Sequence, residues 1–114
     1  MRGRNWKLRF EDMLEAIRRI ERYIAGISYE EFCQDQKTID AVVRNLEIIG
    51  EAARHISKEV RDKYPDLPWE EMSGMRNILI HEYFGVSLPI IWHTITSDLP
   101  PVVRLLEKIL EQHD

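Results

Sequence analysis

Apolar residues recur along this chain at three- and four-residue intervals, and nowhere do they alternate with polar ones over strand length. Phe10, Met13, Leu14, Ile17, Ile20 and Ile24 fall on one face of a helix expected over about residues 8–25. Gly26 is placed to end it. Ser28-Tyr29-Glu30-Glu31 reads as an N-cap with acids in the first turn, opening a short helix through Phe32 and Cys33. A second long helix over about 37–57 carries Ile39, Val42, Val43, Leu46, Ile49, Ala53 and Ile56. Residues 58–65 are polar and turn-like, with room for one more helical turn. Pro68, Glu70 and Glu71 suit the first turn of a third long helix reaching about Phe84. Ser87 suits the cap of a fourth helix with Ile90, Ile91, Trp92 and Ile95. Asp98-Leu99-Pro100-Pro101 is expected to break or kink it before a last stretch, Val102 to Leu110. The pattern predicts an all-α protein, an antiparallel helical bundle of four to five helices in one domain over residues 1–114.

Composition narrows the class. The chain has 114 residues, 44% hydrophobic and 32% charged, which suits a soluble globular protein. No apolar run of about 18 residues is present, so no transmembrane helix is expected, and no membrane partner. The basic start is not followed by an apolar signal core, which makes the cytoplasm the default location. Cys33 is the single cysteine, so an internal disulfide and a cysteine-based zinc site are both excluded. No metal cage is evident, and no cofactor is implied. The net charge of −4 disfavours binding of long nucleic acid by the whole surface. It is unevenly spread: residues 1–24 hold seven Lys/Arg against four acids, and residues 25–75 hold six against eleven. A basic amino-terminal arm that grips phosphates competes with ordinary solvated helix charge as the reading of the first excess.

The candidate chemistry lies in Arg76-Asn77-Ile78-Leu79-Ile80-His81-Glu82-Tyr83. A fixed cation near a group that titrates near neutrality is suited to phosphodiester chemistry without a metal. On an ideal helix with Arg76 at zero, Met72, Met75, Leu79 and Tyr83 fall between about 260° and 340°, the side facing the bundle. Ile80, Phe84, Asn77 and His81 fan from about 40° to 140°. Ile80 and Phe84 thus form an apolar strip on a face the bundle does not need, and a second copy of the same helix is the simplest cover. Asn77 can hydrogen-bond the ring of His81, and the helix end favours the protonated imidazole. The competing reading makes Arg76 a surface ion pair and His81 an ordinary helix-end histidine. On the second long helix Asp40, Arg44, Glu47 and Glu51 form a polar stripe, either a solvated ladder or the border of a cleft. Gly50 beside it suggests close helix packing. His55 and His93 read as structural or surface groups, and the scattered Tyr and Trp residues as core.

Gly74-Met75-Arg76-Asn77 with His81 and Tyr83 resembles the Arg-x-x-x-x-His-x-Tyr motif of HepT-type proteins in the HEPN superfamily (higher eukaryotes and prokaryotes nucleotide-binding). The run Ala41 to Ala52, Leu67-Pro68-Trp69, Trp92 and Leu99-Pro100 continue the resemblance over about residues 10–106. It implies a HEPN-like helical homodimer with the motif helices face to face. It implies a metal-independent RNase acting as the toxin of a toxin–antitoxin system. Its antitoxin would be a minimal, MntA-like nucleotidyltransferase that transfers AMP to the motif tyrosine. Carried onto this chain, the resemblance makes Arg76 and His81 the catalytic pair and Tyr83 the AMPylation target. Asn77 takes the position after the arginine where a polar residue is common. Ser87 departs from the acid expected there, a change of little consequence because either residue caps a helix.

The mechanism expected is attack of a ribose 2′-OH on its own phosphate, with His81 moving protons and Arg76 stabilising the phosphorane. Two other readings share the fold. One is a non-catalytic subunit that presents nucleotide or substrate to a nucleotidyltransferase. The other is a dimeric partner protein in which Arg76 and His81 are interface groups.

Overall fold

A computed structural model describes the backbone of residues 2–81 and 87–112, and the side chains of these residues except 2–5 and 77–81. Among the described residues the chain is helical, with no strand. Four rods make the frame: α1 (Arg2–Ile24), α3 (Gln36–Arg54), α5 (Trp69–His81), and α6 (Leu88–His93) running on into α7 (Leu99–Gln112). Short helices α2 (Tyr29–Cys33) and α4 (Lys58–Lys63) fill two of the connections. α3 is the central rod, packed on α1 along one side and on α5 along another, while α7 closes against α1.

The predicted apolar faces meet in one core. Phe10, Met13, Ile17 and Ile20 of α1 are buried with Val42, Leu46 and Ile49 of α3, Met72 of α5, and Leu99 and Leu106 of α7. α1 starts earlier than its aliphatic pattern suggested. Trp6 extends that face by one turn, its ring 5.0 Å from Phe10 and 5.6 Å from Tyr64. The Trp residues serve the core, as expected: Trp92 lies 5.1 Å from Phe32, and Trp69 lies 5.7 Å from Phe10.

Caps set most of the boundaries. Gly26, at φ 78°, ends α1 in a conformation that disfavours a side chain. Ser28 and Glu31 form a reciprocal capping box: the serine oxygen accepts from the Glu31 N–H at 3.1 Å, and the Ser28 N–H donates to Glu31 Oε1 at 2.8 Å. α3 stops at Arg54 rather than reaching 57, because Ser57 caps α4, accepting from the Val60 N–H at 3.3 Å. Ser87 takes the extended backbone of a cap but makes no side-chain capping bond. Of the break or kink expected near Pro100, a break does not occur. Thr94–Asp98 forms a π-helical turn instead, closed by the Leu99 N–H donating to the Thr94 carbonyl, and the rod continues. That wider turn absorbs the donor missing from Pro100 while Ile95, Leu99 and Val102 stay buried.

Candidate active site

The site is built where α3 and α5 come closest. A Cβ placed on Gly50 would sit 2.8 Å from the Arg76 backbone nitrogen and 3.0 Å from the Arg76 Cβ. No other residue fits that contact without displacing α5, which is the packing the sequence suggested at Gly50. The adjacent residue then reaches across: Glu51 Oε1 lies 3.3 Å from Arg76 Nε, with the arginine side chain 37% exposed. Glu51 also lies 3.7 Å from His55 Nδ1, and the same His55 nitrogen is 2.9 Å from the Glu51 carbonyl. His55 thus braces the residue that holds Arg76.

Around this pair a groove of about 360 Å³ is lined by Arg9, Asp12, Arg44, Glu47, Ile48, Glu51, Ala52 and Arg76. The polar stripe on α3 therefore borders a cleft. Among the described residues its members make no ion pair with one another; Asp40 accepts from Gln36 Nε2 at 2.7 Å, and Glu51 turns to α5. Three of the seven basic residues near the amino terminus are ion-paired among the described residues: Arg18 with Glu107, and Arg19 and Arg22 with Glu15. Arg9 instead faces the groove, so it joins Arg44 and Arg76 as cationic lining. A larger cavity of about 930 Å³, walled by Pro68, Met75, Pro89, Ile90 and Val102 among others, contains neither Arg76 nor the α3 stripe.

Met72 and Met75 are buried, as the helical projection required for the bundle side of α5. Asn77, Ile80 and His81 lie on α5 by backbone, but their side chains are outside the described residues, as are Tyr83 and Phe84 altogether. The helix thus carries Arg76 and His81 on one continuous backbone, about 7.5 Å apart along its axis. Among the described residues no three His, Cys, Asp or Glu side chains gather as a metal site, and no helix is long and apolar enough to cross a membrane.

Sequence reasoning missed two residues here. The tether role of Glu51 was hidden because its partner lies on another helix, although Gly50 marked the contact point. Asn45 is 4% exposed, donating from Nδ2 to the Ala41 carbonyl at 2.9 Å, while its Oδ1 is buried without a partner. An asparagine in an apolar helix pattern gives no sign of that burial.

Comparison with known proteins gives the family of the chain. The family model for HepT-like ribonucleases matches residues 13–109. The "Probable ribonuclease HepT" of Thermococcus cleftensis is 43% identical over 106 residues, covering 93% of this chain and 96% of that one. A protein named as a candidate RNase in Caldanaerobacter subterraneus is 48% identical over 93 residues, 82% of each chain. Another so named in Methanocaldococcus jannaschii is 40% identical over 107 residues, 94% of this chain and 98% of its own. No solved structure matches the chain significantly. With a helical frame that presents Arg76 beside the α3 cleft, and with this likeness along nearly its whole length, the chain belongs to the HepT-like ribonuclease family.

Proposed function

We propose that the protein is a metal-independent endoribonuclease, the toxin of a toxin–antitoxin pair, in which Arg76 and His81 act together on a phosphodiester. The observation that carries this reading is the Arg76–Glu51 tether. It engages Nε at 3.3 Å, and the terminal guanidinium nitrogens of Arg76, which lines the groove, meet no partner among the described residues. Those nitrogens suit a phosphate, because a guanidinium stays charged and its planar fork matches two oxygens.

The ribose 2′-oxygen attacks the adjacent phosphorus as its proton passes to a base, either His81 or a water. The P–O5′ bond breaks, and the 5′-oxygen receives a proton from an acid, His81 or its counterpart in a second copy. The products are a 2′,3′-cyclic phosphate and a 5′-hydroxyl. Arg76 stabilises the charge that develops on the phosphorane oxygens. One histidine per motif makes a two-fold homodimer, joined through Ile80 and Phe84, the natural way to supply both proton-transfer groups. An MntA-like nucleotidyltransferase antitoxin would silence the toxin by transferring AMP to Tyr83.

The test is an assay on single-stranded RNA in EDTA. Wild type is expected to cleave, and Arg76→Ala and His81→Ala each to lose on the order of 10² or more in rate. Helix content and particle mass should be unchanged in both. Near wild-type cleavage by either variant would remove it from the catalytic pair. No cleavage of any RNA by wild type would favour a subunit that presents nucleotide to a nucleotidyltransferase.

A further inference from the structure

Where α5 faces α4, a separate groove of about 640 Å³ is lined by Arg54, Arg61, Trp69, Glu70, Ser73 and Gly74. Its two cations come from different elements, Arg54 from the end of α3 and Arg61 from α4. Neither has an ion-pair partner among the described residues, whereas Arg18, Arg19, Arg22 and Arg76 each meet a carboxylate. Glu70 also lines the groove, but it is exposed and makes no ion pair with either arginine, so positive charge remains in excess.

Two residues of this lining each carry a buried polar atom with no hydrogen-bond partner among the described residues, Arg61 Nε and Ser73 Oγ. Buried polar groups are nearly always satisfied, Nε–H can only donate, and a serine hydroxyl can donate as well. What they lack is an acceptor, and one in the groove would reach them after a side-chain rotation that uncovers these atoms. The Trp69 ring forms a fixed wall of the groove: its Nε1–H donates to the Tyr64 carbonyl at 2.9 Å, and one side packs on Phe10 at 5.7 Å. An anionic, acceptor-rich group with a flat or apolar neighbour matches these features, which is the chemistry of a phosphate joined to ribose and base.

We propose that this groove is a phosphate subsite that holds the backbone of single-stranded RNA away from the scissile bond. On an ideal helix Ser73 and Trp69 lie within about 60° of Arg76, so the groove opens on the same side of α5 as the motif. Ser73 precedes His81 by about 12 Å along the helix axis, a distance that a few nucleotides of the same strand can span. The choice of RNA as ligand rests on the ribonuclease reading, while the groove itself does not depend on which residues cut.

The experiment is fluorescence anisotropy of full-length wild type and variants with a labelled 2′-O-methyl RNA oligonucleotide, which cannot cyclise and so reports binding alone. Arg54→Gln and Arg61→Gln are each expected to weaken binding at least about fivefold. Each should also lower the salt slope of log K by about 0.7, the value of one lost single-strand phosphate contact. Ser73→Ala should weaken binding about twofold. With cleavable RNA, both arginine variants should raise KM with kcat unchanged. Arg54 is exposed, so Arg54→Gln keeps the test open if Arg61→Gln does not fold. Unchanged affinity and slope in Arg54→Gln would overturn the proposal, as would wild type that does not bind the oligonucleotide. Inorganic phosphate or AMP displacing the RNA as effectively as unlabelled RNA does would make this a small-anion site and overturn it too. Binding through the groove without cleavage of any natural RNA would instead refute the ribonuclease reading and leave the subsite standing.

Discussion

Glu51 decides how Arg76 is presented. A guanidinium on a flexible stem loses much of its value when unoriented, and misplacing a reacting group by about 1 Å can cost 10²-fold in rate. Glu51→Gln should therefore lower kcat for RNA cleavage by roughly 10- to 100-fold while KM stays level or falls, because a competing anion has gone. A parallel rise in KM with kcat intact would mean that Glu51 serves the cleft wall and not the arginine. Tyr83→Phe is expected to keep most of the cleavage yet escape the antitoxin with ATP, and intact-mass spectrometry reads this directly. An AMP adduct on the variant equal to that on wild type would move the modification to another residue. Asp35 supplies a pH signature. The Thr38 hydroxyl donates to its Oδ2 at 2.7 Å and the Thr38 N–H to its Oδ1 at 3.1 Å, and these bonds hold its carboxyl below the ordinary 3.8. A depressed native value means stability that is complete above the unfolded pKa and lost as pH falls through the native one. The advantage of wild type over Asp35→Asn in urea should thus be present at about pH 6 and fade as the pH falls below the ordinary carboxylate range.

The α3–α5 contact is the element on which the site depends. Gly50→Ala would gain up to about 1 kcal/mol of helix propensity but set a methyl group 2.8 Å from the Arg76 nitrogen. Overpacking of that kind costs typically 1–3 kcal/mol, so a net loss of about 1 kcal/mol is expected, together with reduced cleavage as Arg76 shifts. Urea denaturation and an RNase assay on one preparation check both; a stabilised and fully active Gly50→Ala would show that α5 can move at no cost. This contact was half legible in the sequence: a mid-helix glycine signalled close packing, while the packed helix and Glu51's partner could come only from the tertiary arrangement. The Pro100–Pro101 region shows the opposite case. Local propensity calls for a break, but Ile95, Leu99 and Val102 all have core positions to fill, and a π-helical turn keeps the rod intact.

For the whole molecule the prediction concerns assembly. If two motif helices face one another, Ile80→Asp would bury two carboxylates near a two-fold axis, which is costly. It should yield a monomer that cleaves no RNA, read by light scattering and the RNase assay together. A dimeric Ile80→Asp protein would place the interface elsewhere.

The sequence by itself determined the helical class, the buried faces of α1 and α3 and the ends marked by Gly26 and Ser28, because these depend on spacing and on hydrogen bonds within a few residues. It also showed the family, since Gly74-Met75-Arg76-Asn77, His81 and Tyr83 lie on one short stretch of chain. The tertiary structure alone decided which side of α3 meets α5, that Glu51 rather than a helical neighbour holds Arg76, that Arg9 lines the cleft, and that Arg54, Arg61 and Ser73 line one groove. Each of these joins residues on different helices. Periodicity tells which face of a helix is buried, but the pairing of two faces depends on how side chains interlock across the core, and that is settled only when the rods pack.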